Sequence, residues 1–120
     1  MRLNQIAEKL NLDARVAINN LDAEVRNGYV SDLLSDVLAN SNENDLWITL
    51  QLHPNIVAIA SMKGLSGIVI INGREPEEET VKKAQEENIS ILVSTMTAFE
   101  LSGKLYALIF SGTKNDAEGI

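Results

Sequence analysis

Three short aliphatic runs, each closed by turn residues and followed by a helical pattern, constrain this chain more than anything else in it. Asp45-Leu46-Trp47-Ile48-Thr49-Leu50-Gln51 alternates bulk and carries β-branched and aromatic side chains, as a strand does. Gly67-Ile68-Val69-Ile70-Ile71 and Ile89-Ser90-Ile91-Leu92-Val93 are nearly all apolar, as strands covered on both faces must be. Helix signals separate them. Pro54 suits a first helical position, Ile56, Ile59 and Ala60 hold one apolar face, and Gly64 ends the segment. Asn72-Gly73 marks a turn, and Pro76 opens a second helix with Glu77, Glu78 and Glu79 in its first turn, where the helix dipole favours anions. Val81 and Ala84 give that helix a thin buried stripe, and Asn88 stops it. Thr97 with Glu100 is a capping-box pattern for a last helix carrying Phe99, Leu101, Leu105 and Leu108. This order and these short connections predict an α/β fold: a single three-layer domain with a largely parallel central sheet.

The first forty residues carry a mixed signal. Leu3, Ile6, Ala7 and Leu10 mark an amphipathic helix, and Ala14 to Asn19 alternates like a strand. Asn27-Gly28 reads as a turn, and Ser31 as the cap of a short helix through Leu33, Leu34, Val37 and Leu38. A rival reading makes Leu3 to Leu21 a helix-turn-helix, with Asp13 to Leu21 in a DNA groove. Charge argues against it: residues 1–40 hold four basic and six acidic side chains, which repel phosphates rather than release counterions.

Composition narrows the function classes. The chain has 120 residues and a net charge of −7, so a nucleic-acid partner is not expected. It has no cysteine and one histidine, which excludes disulfides and thiol chemistry and argues against a structural zinc site. No apolar run approaches the roughly 20 residues of a membrane span, and the mixed N-terminus does not read as a signal peptide. A cytoplasmic protein without membrane contact is expected. Residues 1–110 make the domain; 111–120 lose hydrophobic patterning and read as a flexible tail.

Three strings carry a family resemblance. GYVSDLLSDVL (Gly28 to Leu38), WITLQLHPNIVAIA (Trp47 to Ala60) and FELSGKLY (Phe99 to Tyr106) resemble motifs of the DRTGG-domain family, which is similar to the N-terminal domain of HPr kinase/phosphorylase. The match runs from about Leu3 to Leu108. The five letters that name the family do not occur here, so the likeness is to its stand-alone, HPr-kinase-like branch. The resemblance implies an HPr kinase N-terminal-domain-like α/β fold. It also implies a non-catalytic regulatory or protein-interaction module, often oligomeric. Kinase activity in that neighbour belongs to a separate phosphate-binding loop, Gly-x-x-x-x-Gly-Lys-Ser/Thr. The crowded glycines here, Gly64 and Gly67, are followed by Ile68 rather than lysine.

Ligands of open parallel sheets settle outside the carboxyl ends of the strands. Those ends place Gln51, His53 and Asn55 after the first apolar strand, Asn72 and Arg74 after the second, and Ser94, Thr95 and Thr97 after the third. Ser31 and Asp32 form a polar lip beside them, or a helix cap. Such a set suits a small anionic or nucleotide-like ligand, with no cofactor and no metal. His53 is the side chain suited to proton transfer near neutrality; its plainer role is to cap the helix at Pro54, and no nucleophile accompanies it. Trp47 reads as a core or interface anchor. The acidic run Glu75 to Glu79 reads as a solvated face, with Lys82 and Lys83 pairing Glu78 and Glu79. The expected function is regulatory ligand sensing or protein interaction, as a homodimer. The alternatives are a purely structural homo-oligomerisation module, a DNA-binding protein, and a small enzyme using His53.

Overall fold

The computed structural model describes residues 1–111; residues 112–120 of the expected tail lie outside them. The elements run α1 (Leu3–Leu10), β1 (Asp13–Val16), a 3₁₀ turn (Asn19–Leu21), β2 (Asn27–Val30), α2 (Leu34–Asn40), β3 (Asp45–Thr49), α3 (Asn55–Lys63), β4 (Gly67–Ile70), α4 (Glu78–Glu87), β5 (Ile91–Val93) and α5 (Ala98–Ile109). One five-stranded sheet has the order β1-β5-β4-β3-β2. Strands β2 to β5 are parallel, and β1 closes the β5 edge antiparallel, with an irregular register between Ala14 and Val16. No described helix is long and apolar enough to cross a membrane.

The pleat explains the three layers. Alternate residues of a strand face opposite sides of a sheet, and here both sides are covered. Trp47, Ile68, Ile70, Ile91 and Val93 join Val37 of α2, the α3 residues Ile56, Val57, Ile59 and Ala60, and Ala84 of α4. Leu46, Ile48, Val69 and Leu92 join Leu3, Ile6, Ala7 and Leu10 of α1 and Leu101 and Leu105 of α5. Every residue of β3, β4 and β5 is buried, which is why β4, β5 and the middle of β3 are apolar, while the buried Asp45 and Thr49 at the ends of β3 are hydrogen-bonded. The indole of Trp47 is fully buried, and its N–H donates to the Ser31 carbonyl at 2.8 Å.

Several local expectations need correction. Residues 13–16 are strand, paired with β5, so the helix-turn-helix reading of Leu3 to Leu21 fails. Asn27-Gly28 does not turn: it begins β2, in register with Asp45 and Leu46 of β3. Ser31 does not cap α2. Its hydroxyl accepts from Leu33 N–H at 3.2 Å, whereas α2 starts after Leu33 without a side-chain cap. That helix is docked instead by Asp36, whose carboxylate accepts from the Tyr29 hydroxyl at 2.9 Å and from Asn40 at 2.9 Å. Bonds from Asn40, Ser31 and Tyr29 hold the Asp36 carboxyl below its ordinary range, while burial and Asp36 raise the Tyr29 hydroxyl. Pro76 precedes α4 by two residues rather than opening it, because Glu77 is the cap residue. The fully buried residues of α4 are Thr80 and Ala84, with Val81 half-buried against the same core, and the Thr80 hydroxyl donates to the Leu52 carbonyl at 2.6 Å. Phe99, expected on the buried face of α5, is exposed. Neither Lys82–Glu78 nor Lys83–Glu79 is an ion pair among the described residues; Glu75 instead accepts from Arg15 Nε and Nη2, at 2.7 and 2.8 Å.

Two measurements test this packing. A methyl on Gly67 would stand 3.1 Å from Leu3 Cδ2 and 3.3 Å from the Ser90 carbonyl oxygen. Gly67→Ala is therefore expected to lower unfolding stability by about 1–3 kcal/mol. Gly103 lies inside α5 with nothing within 4 Å of the added atom, so Gly103→Ala is expected to raise stability by about 0.5–1 kcal/mol. Urea titration reads both. The hydrogen bond from Arg15 and its charge hold the Glu75 carboxyl below its ordinary 4.5. A depressed carboxylate stabilises the fold above its unfolded pKa, and that gain is lost as pH falls through the folded value. The melting-temperature gap between the native chain and Arg15→Gln is expected to be constant near neutrality and to shrink below about pH 4.5. A gap that widens in acid contradicts the pair.

Candidate functional site

The connections decide where a ligand can go. Helices α2, α3 and α4 pack on one face of the sheet and α1 and α5 on the other. The chain therefore leaves β4 toward one face and the adjacent β5 toward the opposite one. Such a divergence at the carboxyl ends of parallel strands normally opens a binding crevice. Here backbone bonds draw it shut: Asn72 N–H donates to the Met96 carbonyl at 2.9 Å and Gly73 N–H to the Ser94 carbonyl at 2.8 Å. Both donors belong to a tight turn in which Asn72 and Gly73 have φ of 60° and 67°, the left-handed region that Asn and Gly tolerate. The polar rim is consequently divided into two clefts.

The first cleft, about 380 Å³, is lined by Asp32, Leu50, Gln51, Leu52, His53, Arg74 and Glu77. Three separate loops supply these side chains, and hydrogen bonds between the loops fix them. Asp32 Oδ1 accepts from the Thr49 hydroxyl at 2.9 Å and from Leu50 N–H at 2.7 Å. Gln51 Nε2 donates to the Asp32 carbonyl at 2.8 Å, and Arg74 Nη1 to the Leu50 carbonyl at 3.0 Å. His53 is exposed, and its Nδ1 accepts from Asn55 N–H at 3.3 Å. Pro54 is the cap residue of α3, which has no side-chain cap, so His53 engages only the first backbone N–H of the helix and leaves Nε2 as the ring's free nitrogen. The guanidinium of Arg74 keeps donors beyond the one it uses.

The second cleft, about 180 Å³, lies toward the opposite face, between the carboxyl end of α1, the β5–α5 loop and α5. Lys9, Leu10, Asn11, Ser94, Thr95, Met96 and Lys104 line it. Ser94 is buried, its hydroxyl accepting from Met96 N–H at 3.0 Å, while Thr95 is exposed.

Of the ten side chains singled out in the sequence, Asp32, Gln51, His53 and Arg74 meet in the first cleft, and Ser94 and Thr95 line the second. The other four line neither. Ser31 accepts the Trp47 indole and bonds Leu33; Asn55 begins α3; Asn72 forms the turn; Thr97 caps α5 by accepting from Glu100 N–H at 3.2 Å. Sequence reasoning missed Glu77, Lys9, Asn11 and Lys104. Glu77 follows Arg74 by three residues and was within reach of a reading that asked what the β4–α4 loop carries. The lysines and Asn11 come from helix ends remote in sequence, and only the packing of α1 beside α5 brings them to β5.

A larger hollow of about 520 Å³ sits at the amino ends of the strands, lined by Ile18, Asn19, Asp22, Ala23, Leu65, Ser66, Asn88, Ile89 and Ser90. Size alone would favour it, but three of its polar side chains are already engaged. Ser66 donates to the Asp45 carbonyl, Ser90 accepts from Ile18 N–H, and Asp22 faces Arg2 at 3.4 Å. Among the described residues no group of three or more His, Cys, Asp or Glu side chains is placed to hold a metal.

No protein-family model matches the chain, and no curated protein matches it. Among solved structures it is similar to the CBS and DRTGG domains of the regulatory region of Clostridium perfringens pyrophosphatase, complexed with the activator diadenosine tetraphosphate. The TM-score is 0.62 at 17% sequence identity, over 84% of this chain and 44% of that one. The chain thus spans less than half the length of the chain it resembles. At this identity the likeness is one of fold, and it gives the chain a DRTGG-like α/β fold.

Proposed function

We propose that this chain is a non-catalytic, ligand-sensing regulatory domain of DRTGG type that takes a small anionic or nucleotide-like ligand in the Arg74 cleft. The observation that carries the reading is the fold shared with a regulatory region that holds a nucleotide activator. The chemistry of the cleft supports it. Arg74 supplies planar donors for an oxyanion, Gln51 supplies an amide for a base edge, and His53 Nε2 stands beside them. The carboxylates of Asp32 and Glu77 suit ribose hydroxyls, which donate, and oppose a crowd of phosphates. His53 receives a backbone N–H rather than a carboxylate, so nothing orients it as the base of a nucleophile. A second reading, self-association, is favoured by one feature. The edge strand β2 exposes Val30, followed by Leu33, and Tyr106 of α5 is exposed across the groove that Val30 also lines.

Calorimetric titration and thermal shift with AMP, ADP and diadenosine tetraphosphate test the ligand. At least one is expected to raise the melting temperature, and Arg74→Gln is expected to weaken it about tenfold, a loss of about 1.4 kcal/mol. No shift at millimolar nucleotide contradicts the ligand reading. Sedimentation tests the second: a dimer is expected that Val30→Glu with Tyr106→Glu converts to monomer, and a monomer at every concentration contradicts it.

A further inference from the structure

The lysine cleft beside β5 stands apart from the Arg74 cleft, on the far side of the Asn72–Met96 and Gly73–Ser94 bonds. Its charge is unlike that of the chain around it. The protein carries 17 acidic and 10 basic side chains, yet this lining contains two lysines and no carboxylate. Lys9, in the last turn of α1, makes no ion pair among the described residues. Lys104 has only Glu100, one turn away on the same exposed helix face at 3.6 Å, a contact of the kind that contributes little. The carboxyl end of α1 would ordinarily set negative partial charge against an anion. That charge is reduced here, because the Asn11 and Leu12 amides take the carbonyls of Ala7 and Glu8. Polar donors complete the wall: the Thr95 hydroxyl and the Asn11 amide, beside the buried Ser94. A hollow of about 180 Å³ has room for a tetrahedral oxyanion with its waters.

We infer that this cleft is a phosphate site, holding a free phosphate ion or the terminal phosphate of a small ester between Lys9 and Lys104, with Thr95 and Asn11 donating to its oxygens. The inference does not rest on nucleotide binding in the Arg74 cleft.

Amide NMR titration with inorganic phosphate at constant ionic strength tests it, with methyl phosphate as the ester and chloride as the control. Phosphate is expected to give saturable shifts at Lys9 to Asn11 and Ser94 to Met96. Lys9→Gln with Lys104→Gln is expected to weaken them about tenfold or more, while Arg74→Gln leaves them unchanged. Equal saturation by methyl phosphate assigns the site to phosphate esters; saturation by inorganic phosphate alone assigns it to the free ion. Shifts that do not saturate, that chloride reproduces, or that survive the double lysine variant overturn the proposal. Both lysines are exposed, so the variant is expected to fold; an unchanged spectrum without phosphate verifies this.

Discussion

Everything at the carboxyl rim depends on how β4 and β5 part company. Adjacent parallel strands whose connections leave toward opposite faces open a crevice, and the α/β fold commonly places its ligand there. In this chain the two departing loops bond to each other through Asn72 N–H and Gly73 N–H. Those donors point across because both residues adopt left-handed backbone. The closure costs no unsatisfied groups, since the carbonyls of Met96 and Ser94 accept the donors. It also separates the ends of β2, β3 and β4, which share one cleft, from the end of β5, which faces α1 and α5.

Asparagine does much of the conformational work that glycine does elsewhere. Asn11, Asn19, Asn20, Asn44, Asn72 and Asn88 all have positive φ, a region their short polar side chains reach at low cost. Two of them, Asn11 and Asn88, end α1 and α4. The costlier case is Leu21, the third of three consecutive left-handed residues, at φ 56°. A bond from Leu21 N–H to the Ile18 carbonyl and another from Asn4 to the Asn20 carbonyl hold that turn in place.

The same physics explains what could be read from the sequence. Strands β4 and β5 were legible because two-sided burial forces continuous apolar runs, β3 from its β-branched and aromatic residues, and α3 and α4 because Gly64 and Asn88 end them in left-handed backbone. The dipeptide Asn-Gly occurs twice with opposite outcomes. At Asn72-Gly73 it follows a completed apolar strand and turns; at Asn27-Gly28 the pairing with Asp45 and Leu46 holds the backbone extended. Local preference was equal, and tertiary pairing decided. Gly28 also leaves room for Leu105, whose Cδ2 stands 2.9 Å from where a β-carbon would be, a reason for glycine there that no local rule shows. The clefts follow this pattern. Residues one loop apart, such as Gln51 and His53, could be grouped from strand ends, and they line one cleft. Lys9 and Lys104 were not, because their meeting depends on which face α1 and α5 cover.

Bonds at the Arg74 cleft also bear on how a ligand there would act. Arg74 and Gln51 already bridge loops, to the carbonyls of Leu50 and Asp32. Each such bond contributes a net of about 0.5–1.5 kcal/mol, little enough for a ligand oxygen to compete for the same donors. On the regulatory reading, a ligand that merely adds to the remaining guanidinium donors tightens the loops. One that displaces the Leu50 carbonyl frees the β3–α3 connection and must offset that bond in its own affinity. The two cases differ in sign at the amide of Leu50, which Asp32 Oδ1 holds at 2.7 Å. A ligand shifts a conformational balance only by its difference in affinity for the two states. On that reading the direction of regulation would follow from which Arg74 hydrogens the ligand takes.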